Sequence, residues 1–177
     1  MTSLVVTLIG PDRPGMVKAV SDKATDHGAN WADSLMANFA GQFAGIVHLD
    51  VPPARCEALL TALRALAAPD LHITVTRADA RPSAGATRRL TLELLGHDHP
   101  GIIQSISSQL AQHGVSIDKL STRILSGAMS GEQMFQMQAG LTVPATLDTH
   151  TLQSALENLA NELMVDISFD AASHSGA

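Results

Sequence analysis

Tyrosine is absent from this 177-residue chain, tryptophan occurs once, at Trp31, and aromatic residues make up only 3% of it. Single-stranded nucleic acids are held on aromatic platforms, and an RNA-binding sheet needs paired aromatics on its central strands. Neither pattern is present. Positive charge is scarce too: Lys plus Arg number 11 against 17 Asp plus Glu, a formal net charge of −6. The one close basic pair is Arg88-Arg89. A protein that grips phosphates shows a basic face, so direct nucleic-acid binding is not expected. The single cysteine, Cys56, excludes an intrachain disulfide and a cysteine-based metal site; in its apolar helical run it reads as a buried bystander. No apolar stretch is long enough to span a membrane, and no secretory leader opens the sequence. No membrane partner is expected, and the expected compartment is the cytoplasm.

What is present is apolar material for a core. Hydrophobic residues make up 45% and charged residues 16%, the balance of a folded chain rather than a disordered one. The length suits one large domain or two small ones.

The chain repeats itself. With Leu4 placed on Leu90, LVVTLIGPDRPGMVKAVSDKATDHGAN falls on LTLELLGHDHPGIIQSISSQLAQHGVS without a gap through Gly28 and Gly114. Leu4, Leu8, Gly10, Asp12, Pro14, Gly15, Ser21, His27 and Gly28 all meet identical residues. Farther on the second copy carries an insertion around SGAMSG (126–131), after which Val51-Pro52 aligns with Val143-Pro144. Two apolar strands match easily by chance; shared Gly and Pro at fixed spacing do not. The expected organisation is a first domain over 1–78, a linker over 79–88 rich in Ala, Arg, Gly and Pro, a second domain over 89–172 and a flexible tail over 173–177.

Each copy reads as β-α-β-β-α-β. In the second, Leu90, Leu92 and Leu94 alternate with Thr91 and Glu93 as a half-buried strand. Ile103, Ile106 and Leu110 recur at helical spacing and stop at His113-Gly114. Strands follow through Val115, Ile117 and Leu120 and through Phe135, Met137, Ala139 and Leu141. Leu152, Leu156, Leu159 and Leu163 mark a helix, and Val165, Ile167 and Phe169 a last strand. The first copy agrees, with helices marked by Met16, Val17, Val20 and Ala24 and by Leu59, Leu60, Leu63 and Leu66. This order predicts an α+β fold, two ferredoxin-like (βαββαβ) domains in tandem, with both helices on one face of each sheet.

One motif bears on function: G-x-D-x-P-G, present as Gly10-Pro11-Asp12-Arg13-Pro14-Gly15 and as Gly96-His97-Asp98-His99-Pro100-Gly101, each between first strand and first helix. Glycine at the strand end lets the backbone bend and a ligand approach. Asp12 or Asp98 is placed to cap the helix, and proline near the first turn sacrifices no needed N–H. The remaining helix N–H groups suit an anion such as a carboxylate. Asp-x-Pro-Gly is equally good turn-and-cap chemistry, so a purely structural turn stands beside the ligand-binding one.

GPDRPGMVKAVSDKATDHGANW and GHDHPGIIQSISSQLAQHGVSI resemble the opening halves of ACT domains, and the resemblance covers nearly the whole chain. A free-standing pair is similar to the glycine cleavage system transcriptional repressor family. The resemblance implies a non-catalytic regulatory module that binds a small amino acid and needs no cofactor. It also implies a regulatory or DNA-binding protein partner, contacted without touching DNA, and control of amino-acid (glycine) metabolism. A second copy of the chain, as a homodimer, is a further candidate partner. Residue by residue, the implied ligand site is Gly10, Asp12, Arg13, Pro14, Gly15, Met16 and Asn30 in the first copy. In the second it is Gly96, Asp98, His99, Pro100, Gly101, Ile102 and Ser116. There Ser116 replaces Asn30, and His97 and His99 replace Pro11 and Arg13, so the second site either binds differently or only completes the first.

His97 and His99 invite a metal reading, but His113 lies about three turns along the helix, too far to join them; no metal site is expected. His27 and His113 match each other and belong at helix C-termini, where they complement the dipole. Met129, Met134 and Met137 read as core or interface filler. No Ser-His-Asp arrangement, nucleophile elbow or P-loop is visible, so no catalytic residue is named. A small metabolic enzyme or a stand-alone allosteric subunit on the same scaffold is the alternative, since fold does not fix function.

Overall fold

The computed structural model describes residues 1–78, 85–126 and 132–171, and the chain divides into two compact units, Met1–Arg81 and Pro82–Ala177. In the first, β1 (Thr2–Pro11), α1 (Met16–Asp26), β2 (Asn30–Phe39), β3 (Gln42–Val51), α2 (Cys56–Arg64) and β4 (His72–Arg77) follow one another. The second repeats the order with β5 (Thr87–His97), α3 (Ile102–Gln112), β6 (Ser116–Ser126), β7 (Gln133–Pro144), α4 (Thr149–Leu163) and β8 (Val165–Ala171). Each unit has its own antiparallel sheet, in the orders β2-β3-β1-β4 and β6-β7-β5-β8. This is the expected α+β architecture.

Alternation makes the core. Leu4, Val6 and Leu8 of β1 and Val47, Leu49 and Val51 of β3 are buried, all on the face their period of two assigns. They meet Val20 and Ala24 of α1 and Leu59 and Leu63 of α2. Leu92, Leu94, Ile106, Leu110, Leu141, Leu152 and Leu156 do the same in the second unit. Burying one such side chain contributes about 1.5–3 kcal/mol. Cys56, at the start of α2, and Met137 are part of these cores; Met129 lies outside the described residues.

The repeat holds at the level of backbone detail. Gly15 and Gly101 precede α1 and α3 with φ of 93° and 99°, and Gly28 and Gly114 follow them with φ of 65° and 67°. Only a residue without Cβ adopts such values at little cost. His27 Nδ1 donates to the Lys23 carbonyl at 2.8 Å and His113 Nδ1 to that of Gln109 at 2.9 Å, the expected helix-end role. The odd spacing of Ile117 and Leu120 has a cause: the register of β6 on β7 shifts between Ile117 and Lys119, as that of β2 on β3 shifts between Trp31 and Asp33. A bulge absorbs one residue and returns the next apolar side chain to the same face.

Three sequence readings need correction or placing. β5 begins at Thr87, so the last two residues of the expected linker, Thr87 and Arg88, are strand, paired with Pro144 and Val143. Leu66 is not in a helix: α2 ends at Arg64. The rest of the expected linker is described only at Gly85 and Ala86, and the expected tail and all of the SGAMSG insertion but Ser126 lie outside the described residues. No helix among the described residues is long and apolar enough to cross a membrane.

Candidate functional site

The β1–α1 turn is built differently from the capping arrangement its sequence suggests. The residue at the helix N-cap is Gly15, and no side chain caps α1; Gly101 and α3 are the same. Asp12 therefore does not cap the helix, correcting the expectation. An N-cap side chain reaches the second or third N–H of the helix from the position just before it, and Asp12 lies three residues farther out. Its carboxylate instead accepts a 2.6 Å hydrogen bond from Asn38 Nδ2, and its backbone N–H donates to the Gly41 carbonyl at 2.9 Å. Asp98 keeps the equivalent backbone bond, to the Gln133 carbonyl at 3.0 Å, but Ile124 stands where Asn38 would and offers no donor. Pro14 and Pro100 lie outside the helices, before the glycines, not within the first turn.

Gly10 and Gly96 are also not where a ligand approaches. A Cβ on Gly10 would lie 2.6 Å from the Asp70 carbonyl oxygen, and one on Gly96 2.4 Å from Val165 Cγ1. The space is taken by the connection leading into β4 in the first unit and by the start of β8 in the second, which is why only glycine fits. Gly15 and Gly101, by contrast, have nothing within 4 Å of a built Cβ.

Asn30 and Ser116 are separated from the turn within their own units. Asn30 pairs with Asp50, which pairs with Ser3 at the start of β1, whereas Gly10 stands near its end. At about 3.4 Å per residue, Ser3 and Gly10 are about 24 Å apart. Ser116 pairs with Thr142, beside Arg89, while Gly96 lies at the other end of β5. No unit by itself gathers all its expected site residues.

What the first unit does gather is a cavity of about 200 Å³ beneath the turn. Its walls include Leu8, Val20, Leu66, Leu71 and Ile73, and Arg13, Pro14, Gly15 and Met16 of the expected site line it as well. Arg13 Nη1 lies 3.1 Å from Asp70 Oδ2, with both side chains about half exposed, at 46% and 49%. Asp70 and Leu66 carry no motif. They belong to the irregular connection 65–71, which closes on itself through the reciprocal backbone bonds of Ala68 and Leu71; no periodicity marks Asp70, and the helical spacing that takes in Leu66 runs past the end of α2.

In the second unit His99 replaces Arg13. Its Nε2 lies 3.2 Å from the Leu163 carbonyl and its Nδ1 3.1 Å from that of Pro100. His97 Nδ1 is 3.8 Å from Glu132 Oε2. Among the described residues no group of three His, Cys, Asp or Glu is arranged to hold a metal ion. Remote from both turns, hydrogen bonds from the Thr151 side chain and then its backbone N–H hold the Asp148 carboxyl, the N-cap of α4, below its usual range.

The family model described as ACT domain matches twice, over residues 2–76 and 88–170. A glycine cleavage system transcriptional repressor of Escherichia coli K12 is 25% identical over 173 residues, spanning 97% of this chain and 91% of the relative. The crystal structure of a protein of Galdieria sulphuraria, described only as unknown, superposes with a TM-score of 0.80 at 30% identity and covers 97% of this chain and 99% of its own. Another, provisionally described as a glycine cleavage system transcriptional repressor, gives a TM-score of 0.68 at 22% identity, covering 98% of each chain; at that identity it speaks to the fold alone.

Proposed function

The chain is a tandem member of the ACT domain family, and on that premise we propose that it is a non-catalytic regulator that binds a small amino acid and acts by docking on another protein. The observation that carries the reading is the uncapped start of α1: Gly15 turns the chain with a positive φ, no side chain caps the helix, and nothing fills the space over the glycine. Helix N–H groups left open in this way favour a carboxylate. The loop residues Arg13 to Met16 are the core of the proposed site; Gly10 and Asp12 shape the turn that presents them. Gly96, Asp98, His99, Pro100, Gly101 and Ile102 form the corresponding turn of the second unit. Asn30 and Ser116 take part only where another module brings them to a turn.

The proposed partner is a transcriptional regulator of amino-acid metabolism. The full-length relative is described as a transcriptional repressor, and the acidic balance of this chain, at −6, favours contact with a protein over contact with DNA. Thermal unfolding of the full chain against the twenty amino acids tests the ligand. Binding to the native state stabilises it by RT ln(1 + [L]/Kd), about 2.7 kcal/mol at a hundredfold excess over Kd. A raised Tm with one or a few amino acids is expected, and a flat panel at millimolar concentrations overturns the reading.

A further inference from the structure

The two units differ where they are otherwise most alike. Between α2 and β4 the first unit runs through residues 65–71, while in the second only Met164 separates α4 (ending at Leu163) from β8 (beginning at Val165). The longer connection supplies Leu66 and Leu71 as cavity walls and carries Asp70 to Arg13. In the second unit Val165 presses on Gly96, and His99 is turned onto the Leu163 carbonyl. Among the described residues of this unit the hydrogen-bond partners of His99 are the Pro100 and Leu163 carbonyls rather than a carboxylate, and Ser105 replaces the cavity-lining Ala19.

Resting on the sensor reading above, the geometry points to one ligand site per chain, in the first unit, for an α-amino acid with a short aliphatic side chain inserted between Arg13 and Asp70. The Arg13 guanidinium and the open N–H groups at the start of α1 share the carboxylate, the Asp70 carboxylate takes the ammonium, and the side chain enters the apolar cavity. The Arg13–Asp70 pair is half exposed, and a solvated pair of this kind opens readily. A volume of about 200 Å³ falls below the roughly 300–1,000 Å³ of pockets for drug-sized ligands and suits a short side chain. Each buried methylene strengthens binding roughly fourfold, so a branched aliphatic amino acid binds at least tenfold more tightly than glycine, which leaves the cavity unfilled.

Calorimetry of the full chain with L-valine, isovalerate and isobutylamine separates the parts of the claim. L-valine is expected to bind with one site per chain, and the analogues lacking its amine or its carboxylate at least tenfold more weakly. Arg13→Gln and Asp70→Asn, both at exposed positions, each reduce L-valine binding at least tenfold. Ala19→Leu fills the cavity and abolishes it with circular dichroism unchanged, while Ser105→Leu, at the equivalent position one repeat later, leaves it intact. Two sites per chain, equal binding of isovalerate and L-valine, or survival of binding in Ala19→Leu overturns this site. Should some amino acid still stabilise the chain in those cases, the sensor reading stands without it; should none of the twenty do so, both fall.

Discussion

Asn38 Nδ2 donates a 2.6 Å hydrogen bond to the Asp12 carboxylate, tying the β1–α1 turn to the last stretch of β2 next to the Ala40-Gly41 hairpin. The aspartate that a helix cap would have used is thereby spent on holding the turn against its own sheet. Asp12→Ala is expected to cost about 0.5–1.5 kcal/mol, and a double-mutant cycle with Asn38→Ala should recover a coupling of that size. Asp98→Ala, opposite Ile124, should cost less. Equal losses in the two repeats, read by urea unfolding, would remove the role assigned to Asn38.

The glycines of the turns separate into two kinds. Gly96→Ala puts a methyl group 2.8 Å from Val165 Cβ and 2.9 Å from its Cα, backbone that cannot step aside, and a loss of about 1–3 kcal/mol is expected. Gly15→Ala meets no atom but must hold φ near 93°, a strain of about 1 kcal/mol. Thermal unfolding of both variants checks the order; a neutral Gly96→Ala would mean that β5 and β8 are less closely apposed than described.

Acid should release the start of α4. Because hydrogen bonds from Thr151 lower the folded-state pKa of Asp148 below its usual 3.8, its contribution is fully present above about that value and is lost as pH falls through the lower folded pKa. Asp148→Asn keeps an acceptor for the Thr151 N–H but cannot titrate. Its stability profile should lose this part of the acid slope below pH 3.8, and an unchanged slope counts against the cap.

Burial rather than residue type should govern the leucines. Leu49 is fully buried and Leu35 is 53% exposed on the other face of the same sheet. Leu49→Ala is expected to cost about 2–5 kcal/mol, and Leu35→Ala to stay within about 0.5 kcal/mol. Comparable losses in denaturant melts would show that the exposed face is covered in solution.

Legibility followed periodicity and backbone chemistry. Alternation in β1 and β5 and helical spacing in α1 and α3 were visible because one face of each element meets the core. Gly28 and Gly114 were visible as helix ends because few other residues take a left-handed φ. The roles within the G-x-D-x-P-G turn were not, because Asp12 has acceptable partners on either side of it. Whether its carboxylate faces the helix or Asn38 depends on where β2 passes, 26 residues later. Asp70 was missed because an irregular connection has no period to read, and for the same reason Leu66 and Leu71 were read as part of the flanking helix and strand rather than of the connection between them.

From the sequence alone came the duplication, the six-element order of each repeat, the faces that are buried and the turn at which a ligand would be sought. These are local matters, settled by side-chain alternation and by which residues tolerate a given φ. Tertiary structure decided that Gly10 and Gly96 make room for the chain itself, that Asn30 and Ser116 lie a strand's length from their turns, and that a cavity lined by Arg13, which pairs with Asp70, lies under the first turn. Those outcomes depend on how segments far apart in the chain approach one another. A connection of one residue or of several between the last helix and the last strand changes that approach without altering any local pattern.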